Sequence, residues 1–168
     1  MPVAVLSSLT LGLAVDFAIP LKSTGPRFRI DGRLGFRDST LHLDDWQLPL
    51  TKIRGDLEFN QHGVRAKGLK AHTLGSQLQI NVSDIPLNGP AGTRIVATGA
   101  FAGKALAGKF SGMGLEMIQG TSDWTLQLDI PRGDETSSAP VSVEVRSDLV
   151  GSAIELPPPL GKSAAESC

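Results

Sequence analysis

The chain is 168 residues long, with 16 basic and 17 acidic side chains and a formal net charge of −1. Glycine (19) and proline (11) together make up nearly a fifth of it, tyrosine is absent and aromatics reach only 5%. That length suits one domain, the balanced charge supplies no field for nucleic acid, and so few aromatics give no platform for stacking bases. The only cysteine is Cys168, which excludes a disulfide scaffold and, with three scattered histidines, a structural zinc site.

The most apolar stretch, Pro2 to Leu21, carries Asp16, has no basic residue before Lys22 and includes Pro20. It reads neither as a membrane span nor as a signal peptide. Leu11, Leu13, Val15, Phe17 and Ile19 alternate with Gly12, Ala14, Asp16 and Ala18, the period of a β-strand. Phe28, Ile30, Leu34 and Phe36 then alternate with charged residues, and Gly32 holds a place on the apolar side. Ile53, Leu57 and Phe59 repeat that pattern around Gly55. Leu78, Ile80 and Val82 continue it, as do Ile95 and Ala97 leading to Phe101. Leu126, Leu128 and Ile130 follow, and last come Val141, Val143 and Val145. Such runs, each bounded by Gly, Pro, Asn or Asp, describe antiparallel strands with one greasy and one wet face.

Ile30 to Phe36 and Ile53 to Phe59 share Ile-x-Gly-x-Leu-x-Phe, with a weaker third copy at Ile95 to Phe101. Each of the first two copies is followed by a polar turn, Arg37 to Ser39 and Asn60 to Gly63, and another strand. The pattern predicts hairpin repeats over 1–100, a linker or short helix over 101–120, further strands over 121–156 and a frayed tail over 157–168. The only helix candidate, Lys104 to Ile118, has Leu106, Phe110, Met113 and Met117 at roughly helical spacing but is weakened by Gly108, Gly112 and Gly114. The expected fold is mainly β. It is an extended, curved antiparallel sheet of repeated hairpins, a β-groove or open sandwich, with at most one short helix.

No enzymatic motif is complete. Gly103 to Lys109 approaches a phosphate-binding loop, but Phe110 replaces the Ser or Thr that would hold magnesium. Gly161-Lys162-Ser163 has the right ending, with Leu156 where the first glycine is needed. Asp44 and Asp45 sit beside Trp46 in an expected turn, His62 lies in another, and His42 and His72 pair with neither. Asn81 to Ser83 is a formal sequon inside a strand. No enzyme, cofactor or metal is expected. A one-sided apolar sheet must instead be covered by a second sheet, a partner or an apolar ligand. Periodicity alone favours a second sheet.

The C-terminal region shifts that balance. Ser147, Asp148, Leu149 and Gly151, followed by Leu156, Pro157, Pro159, Leu160, Gly161 and Lys162, resemble an element recurring in YhdP-type proteins of the AsmA-like superfamily of Gram-negative envelopes. Gly120, Trp124, Leu128 and Pro131 are similar to the strand preceding that element, and Leu48 to Val82 resembles the hairpin repeat upstream. The resemblance implies a segment of a much longer bridge-like lipid transport protein, anchored in the inner membrane and crossing the periplasm towards the outer membrane. No anchor lies in this chain, which is expected to be a fragment. Its apolar groove would shield phospholipid acyl chains, lined by Ile30, Leu34, Phe36, Ile53, Leu57, Phe59, Leu78, Ile80, Val82, Leu126, Leu128 and Ile130. That list assumes one register throughout, since a one-residue slip inverts a strand. The alternative is a structural or protein-binding β-sandwich that docks other envelope proteins. Exposed edge strands would invite self-association.

Overall fold

The computed structural model describes residues 13–18, 31–61, 63–85, 92–132, 140–155, 161 and 163–165. Eight strands pair in chain order, each antiparallel to the next: β1 Leu13–Ala18, β2 Asp31–Leu43, β3 Leu48–Asn60, β4 Gly63–Thr73, β5 Ser76–Asp84, β6 Gly92–Ala102, β7 Ile118–Pro131 and β8 Ser142–Arg146. A ninth, β9 (Ser152–Ile154), pairs with the start of β7. The result is a single open, curved sheet. The described strands form no second layer, so the sandwich favoured by periodicity alone is not what they build. One helix, α1 (Gly103–Lys109), interrupts the β6–β7 connection.

The internal repeat has a simple physical meaning. Its first two copies are the two strands of one hairpin, not two successive hairpins. Gly32 pairs with Phe59, Leu34 with Leu57 and Phe36 with Gly55. Each glycine therefore stands opposite the other copy's phenylalanine, and a Cβ on Gly32 would lie 2.2 Å from the Phe59 ring. The expected turn at Arg37 to Ser39 is absent, because β2 runs straight through it. Asp38 there has a φ of 58° and forms a bulge. The expected turns at Asp44–Trp46, a single 3-10 turn, and after Asn60 are both present.

Bulges occur in three adjacent strands: at Asp38 in β2, near Lys52 (φ 51°) in β3, and near Gly68 (φ 63°) in β4. Each inserts one residue and switches which alternate positions face the core. In β2 the apolar side passes from Leu34 and Phe36 to Leu41 and Leu43, and in β4 from Val64 and Ala66 to Leu69 and Ala71. Because neighbouring strands shift together, their apolar sides stay aligned. Two of the bulges are held by side chains. Arg54 donates two hydrogen bonds to the Asp38 carboxylate, at 2.7 and 2.8 Å, and the Gly68 N–H donates to Asn81 Oδ1 at 2.9 Å.

The segment following β8 forms a clasp on β7. The Ser147 hydroxyl donates to the Asp123 carbonyl at 2.7 Å and accepts from the Leu149 N–H. Ser152, fully buried, meets Ser122 hydroxyl to hydroxyl at 3.0 Å, and the Trp124 indole N–H donates to Ser122 at 3.1 Å. Two backbones approach closely here. A Cβ on Gly120 (φ 106°) would stand 2.4 Å from the Gly151 carbonyl, and one on Gly151 (φ 87°) 2.4 Å from that of Thr121. In the tail, the Ala164 carbonyl accepts from the Gly151 N–H at 2.9 Å.

Gly120→Ala combines a disfavoured φ with a backbone clash and is expected to destabilise the fold by about 2 kcal/mol or more. Urea unfolding of the two proteins measures this; a loss below about 0.5 kcal/mol would show that the clasp yields freely.

Candidate apolar binding face

Direct cross-strand pairing puts partners on the same side of a sheet, so the registers define the face. Leu34 pairs with Leu57, Leu57 with Ala66, Ala66 with Val82, Val82 with Ile95, Ile95 with Leu128, and Leu128 with Val143. This apolar row crosses seven strands. Beside it run Leu69, Ile80, Ala97, Leu126 and Val145, each paired to the next. From β2 to β7 a row of this kind measures about 24 Å along the sheet at the usual strand spacing. Half the hydrocarbon thickness of a bilayer is about 15 Å, so one row exceeds the depth that an acyl chain spans there.

Eleven of the twelve sequence-derived positions lie on this face: Leu34, Phe36, Ile53, Leu57, Phe59, Leu78, Ile80, Val82, Leu126, Leu128 and Ile130. Ile30 falls outside the described residues. The sequence reading missed every residue of β4, above all Ala66, Leu69 and Ala71. The bulge at Gly68 breaks their alternation, and two of the three are alanines. A glycine inside a half-legible strand was the available signal. Ile95, Ala97, Val143 and Val145 also belong to the face, although their alternation was legible.

The helix covers the face at one end only; in the middle Ala66, Leu69 and Val82 form a second buried cluster packed by Phe36, Leu57, Ile80 and Ile95. At the covered end Ile53, Ala71, Leu78 and Phe101 are buried together with Leu106 of α1, and Phe110, Leu115 and Trp124 pack around them. Glycines with positive φ at Gly112 and Gly114 follow α1, which accounts for a helix much shorter than the expected Lys104 to Ile118. Lys109 reaches across the strand ends and donates to the Gln47 carbonyl at 2.8 Å. At the opposite end Leu34, Leu57, Phe59, Ile95 and Leu128 remain half-buried, and Ile130 is exposed. Towards the β8 edge Val143 and Val145 are more than half exposed, at 52% and 57%.

The other face carries the charge. Arg33 pairs with Glu58, Arg54 with Asp38 and Arg94 with Asp129, each reaching a neighbouring strand. Arg94 and Asp129 are the least exposed of these pairs; two hydrogen bonds of 2.7 and 2.8 Å hold the Asp129 carboxyl below the usual carboxylate range. Among the described residues no group of three or more His, Cys, Asp or Glu is placed to hold a metal, and no helix is long and apolar enough to cross a membrane. Residues 7–168 match the family described as YhdP protein; no curated protein and no solved structure matches the chain.

Two outcomes test this geometry. Leu106→Ala removes the helix's anchor on the covered end and is expected to cost about 2–4 kcal/mol in urea unfolding; a negligible loss would mean the helix does not seal that end. A depressed folded-state pKa at Asp129 adds stability above the unfolded carboxylate's pKa, near 4, that disappears as pH falls through the folded value. Arg94→Ala is therefore expected to be less acid-sensitive than the parent when urea midpoints are compared from about pH 5 down to about pH 2. Parallel profiles would remove the pair from the acid response.

Proposed function

The chain belongs to the YhdP protein family, and from that premise we propose that its apolar face shields phospholipid acyl chains passing between the two membranes of the cell envelope. Family membership supports a lipid-transport-related envelope protein. The observation that carries the finer reading is the pair of unbroken apolar rows, long enough for an acyl chain and half-buried or exposed at every position but Ala66, Leu69 and Val82. Each methylene taken from water onto such a surface contributes about 0.8 kcal/mol. Within the two rows no polar side chain interrupts the surface, so a chain can shift along it without breaking hydrogen bonds. The head group stays in water at the open side, consistent with a location in the periplasm.

Mass spectrometry of lipid extracted after detergent-free purification tests the reading, with Leu57→Asp as the comparison. Leu57 is half-buried in the middle of the open half, where an aspartate puts a charge in the path of the chain. Phospholipid near stoichiometric on the parent and absent from the folded variant is the expected result. A folded, lipid-free parent would refute the proposal and turn the face into a docking surface for another envelope protein.

A further inference from the structure

Strand β8 is an edge: among the described residues no strand pairs with its outer side. Its apolar side chains, together with that of Val141 just before it, are the most exposed aliphatic groups on the face, with Val141, Val143 and Val145 at 56%, 52% and 57%. On the interior strands of the same sheet every apolar residue of the face is half-buried or better except Ile130, at 38%. An edge with open backbone groups and a protruding row of valines is a template for another strand.

The valines of this edge are placed symmetrically about its centre. From Val141 to Val145 it reads Val-Ser-Val-Glu-Val, with valines at every position on the apolar side. We propose that β8 pairs with β8 of a second copy of this chain, antiparallel, with the two-fold axis at Val143. That register sets Val143 against Val143 and Val141 against Val145, twice. On the opposite side it sets the Ser142 hydroxyl, a donor, against the Glu144 carboxylate, an acceptor. No like charges stand directly opposed, because the charge on Glu144 is already met within its own strand by Arg146, whose Nε donates at 2.7 Å. Shifting the axis one residue to Glu144 would bring two glutamates face to face, which cross-strand pairing disfavours. The match is self-complementary, as an isologous interface must be.

Paired residues in antiparallel strands point to the same side. Both copies therefore present their apolar faces on one side of a joined sheet, and the rows through Leu126–Val145 and Leu128–Val143 run on into the second copy. The pairing goes beyond the lipid reading and does not depend on it. Oligomeric state reports on the pairing and co-purifying lipid on the face.

Analytical ultracentrifugation of the full chain over a concentration series tests it. The parent is expected to dimerise, and Val143→Asp, which opposes two carboxylates on the axis, to weaken the dimer at least tenfold. Val150→Asp changes an equally exposed apolar residue (47%) outside β8 and is expected to leave the dimer intact. Circular dichroism confirms that both variants fold. If Val143→Asp unfolds, a single cysteine at that position in a Cys168→Ser background takes its place. It is expected to cross-link copy to copy on oxidation, with cysteine at Val141 much slower. A parent that stays monomeric, a dimer that survives Val143→Asp, or equal cross-linking at the two positions overturns the proposal.

Discussion

Everything on the apolar face depends on the three aligned bulges. An extra residue switches which alternate side chains face the core, so without the bulge at Asp38 the strict alternation that puts Leu34 and Phe36 inside would turn Leu41 and Leu43 to solvent. Here β2, β3 and β4 each insert one residue at neighbouring heights, and the shift propagates without a mismatch. The same insertions increase local twist and bend the sheet. Beyond β4 the β5–β6 and β6–β7 registers run without interruption. Curvature is thus concentrated on the β2–β4 side.

Bending has an energetic consequence. Ile53 on β3 and Phe101 on β6 lie three strands apart, about 14 Å in a flat sheet. Curvature and the small Ala71 between them let both join one buried cluster under Leu106 of a seven-residue helix. A short helix without side-chain caps has little stability of its own. It is held where it is because it seals the apolar surface, and the surface is sealed only as far as it reaches. In the remaining rows Ala66, Leu69 and Val82 are buried by their own neighbours, and the other residues stay half-buried or exposed with no further element above them among the described residues.

Much of this was legible in the sequence, and the failures are informative. Period two placed β5 and β7 and the unbulged halves of β2 and β3 on one face correctly, because the apolar residues there are large and the alternation is intact. It misread Arg37 to Ser39 as a turn, since a bulge and a turn both present polar residues at a break in the period. A strand after Asn60 to Gly63 was expected, but the apolar side of β4 escaped for the same reason, compounded by alanines that carry little signal. The repeat was visible, but its meaning was not. Gly-x-Leu-x-Phe is a rule for facing itself, glycine under phenylalanine, and only the pairing shows that. The family element around Ser147 to Gly151 was recognisable as a pattern, yet its role as a clasp rests on contacts with Gly120, Ser122 and Asp123 that no local spacing encodes.

The two faces divide their chemistry cleanly. Ion pairs such as Arg94 with Asp129 and Arg33 with Glu58 lie on the polar side, where they tie strand to strand. The buried hydroxyls on the apolar side, those of Ser39, Thr73 and Ser122, lie towards the helix-covered end. The two rows carry only aliphatic side chains. Hydrophobic attraction is non-directional and scales with area, so one position of an acyl chain along such a row is nearly as good as the next. A surface that binds strongly in total and weakly at each step favours movement over capture. The register constraint that keeps polar groups out of these rows is therefore also what would let a bound chain slide.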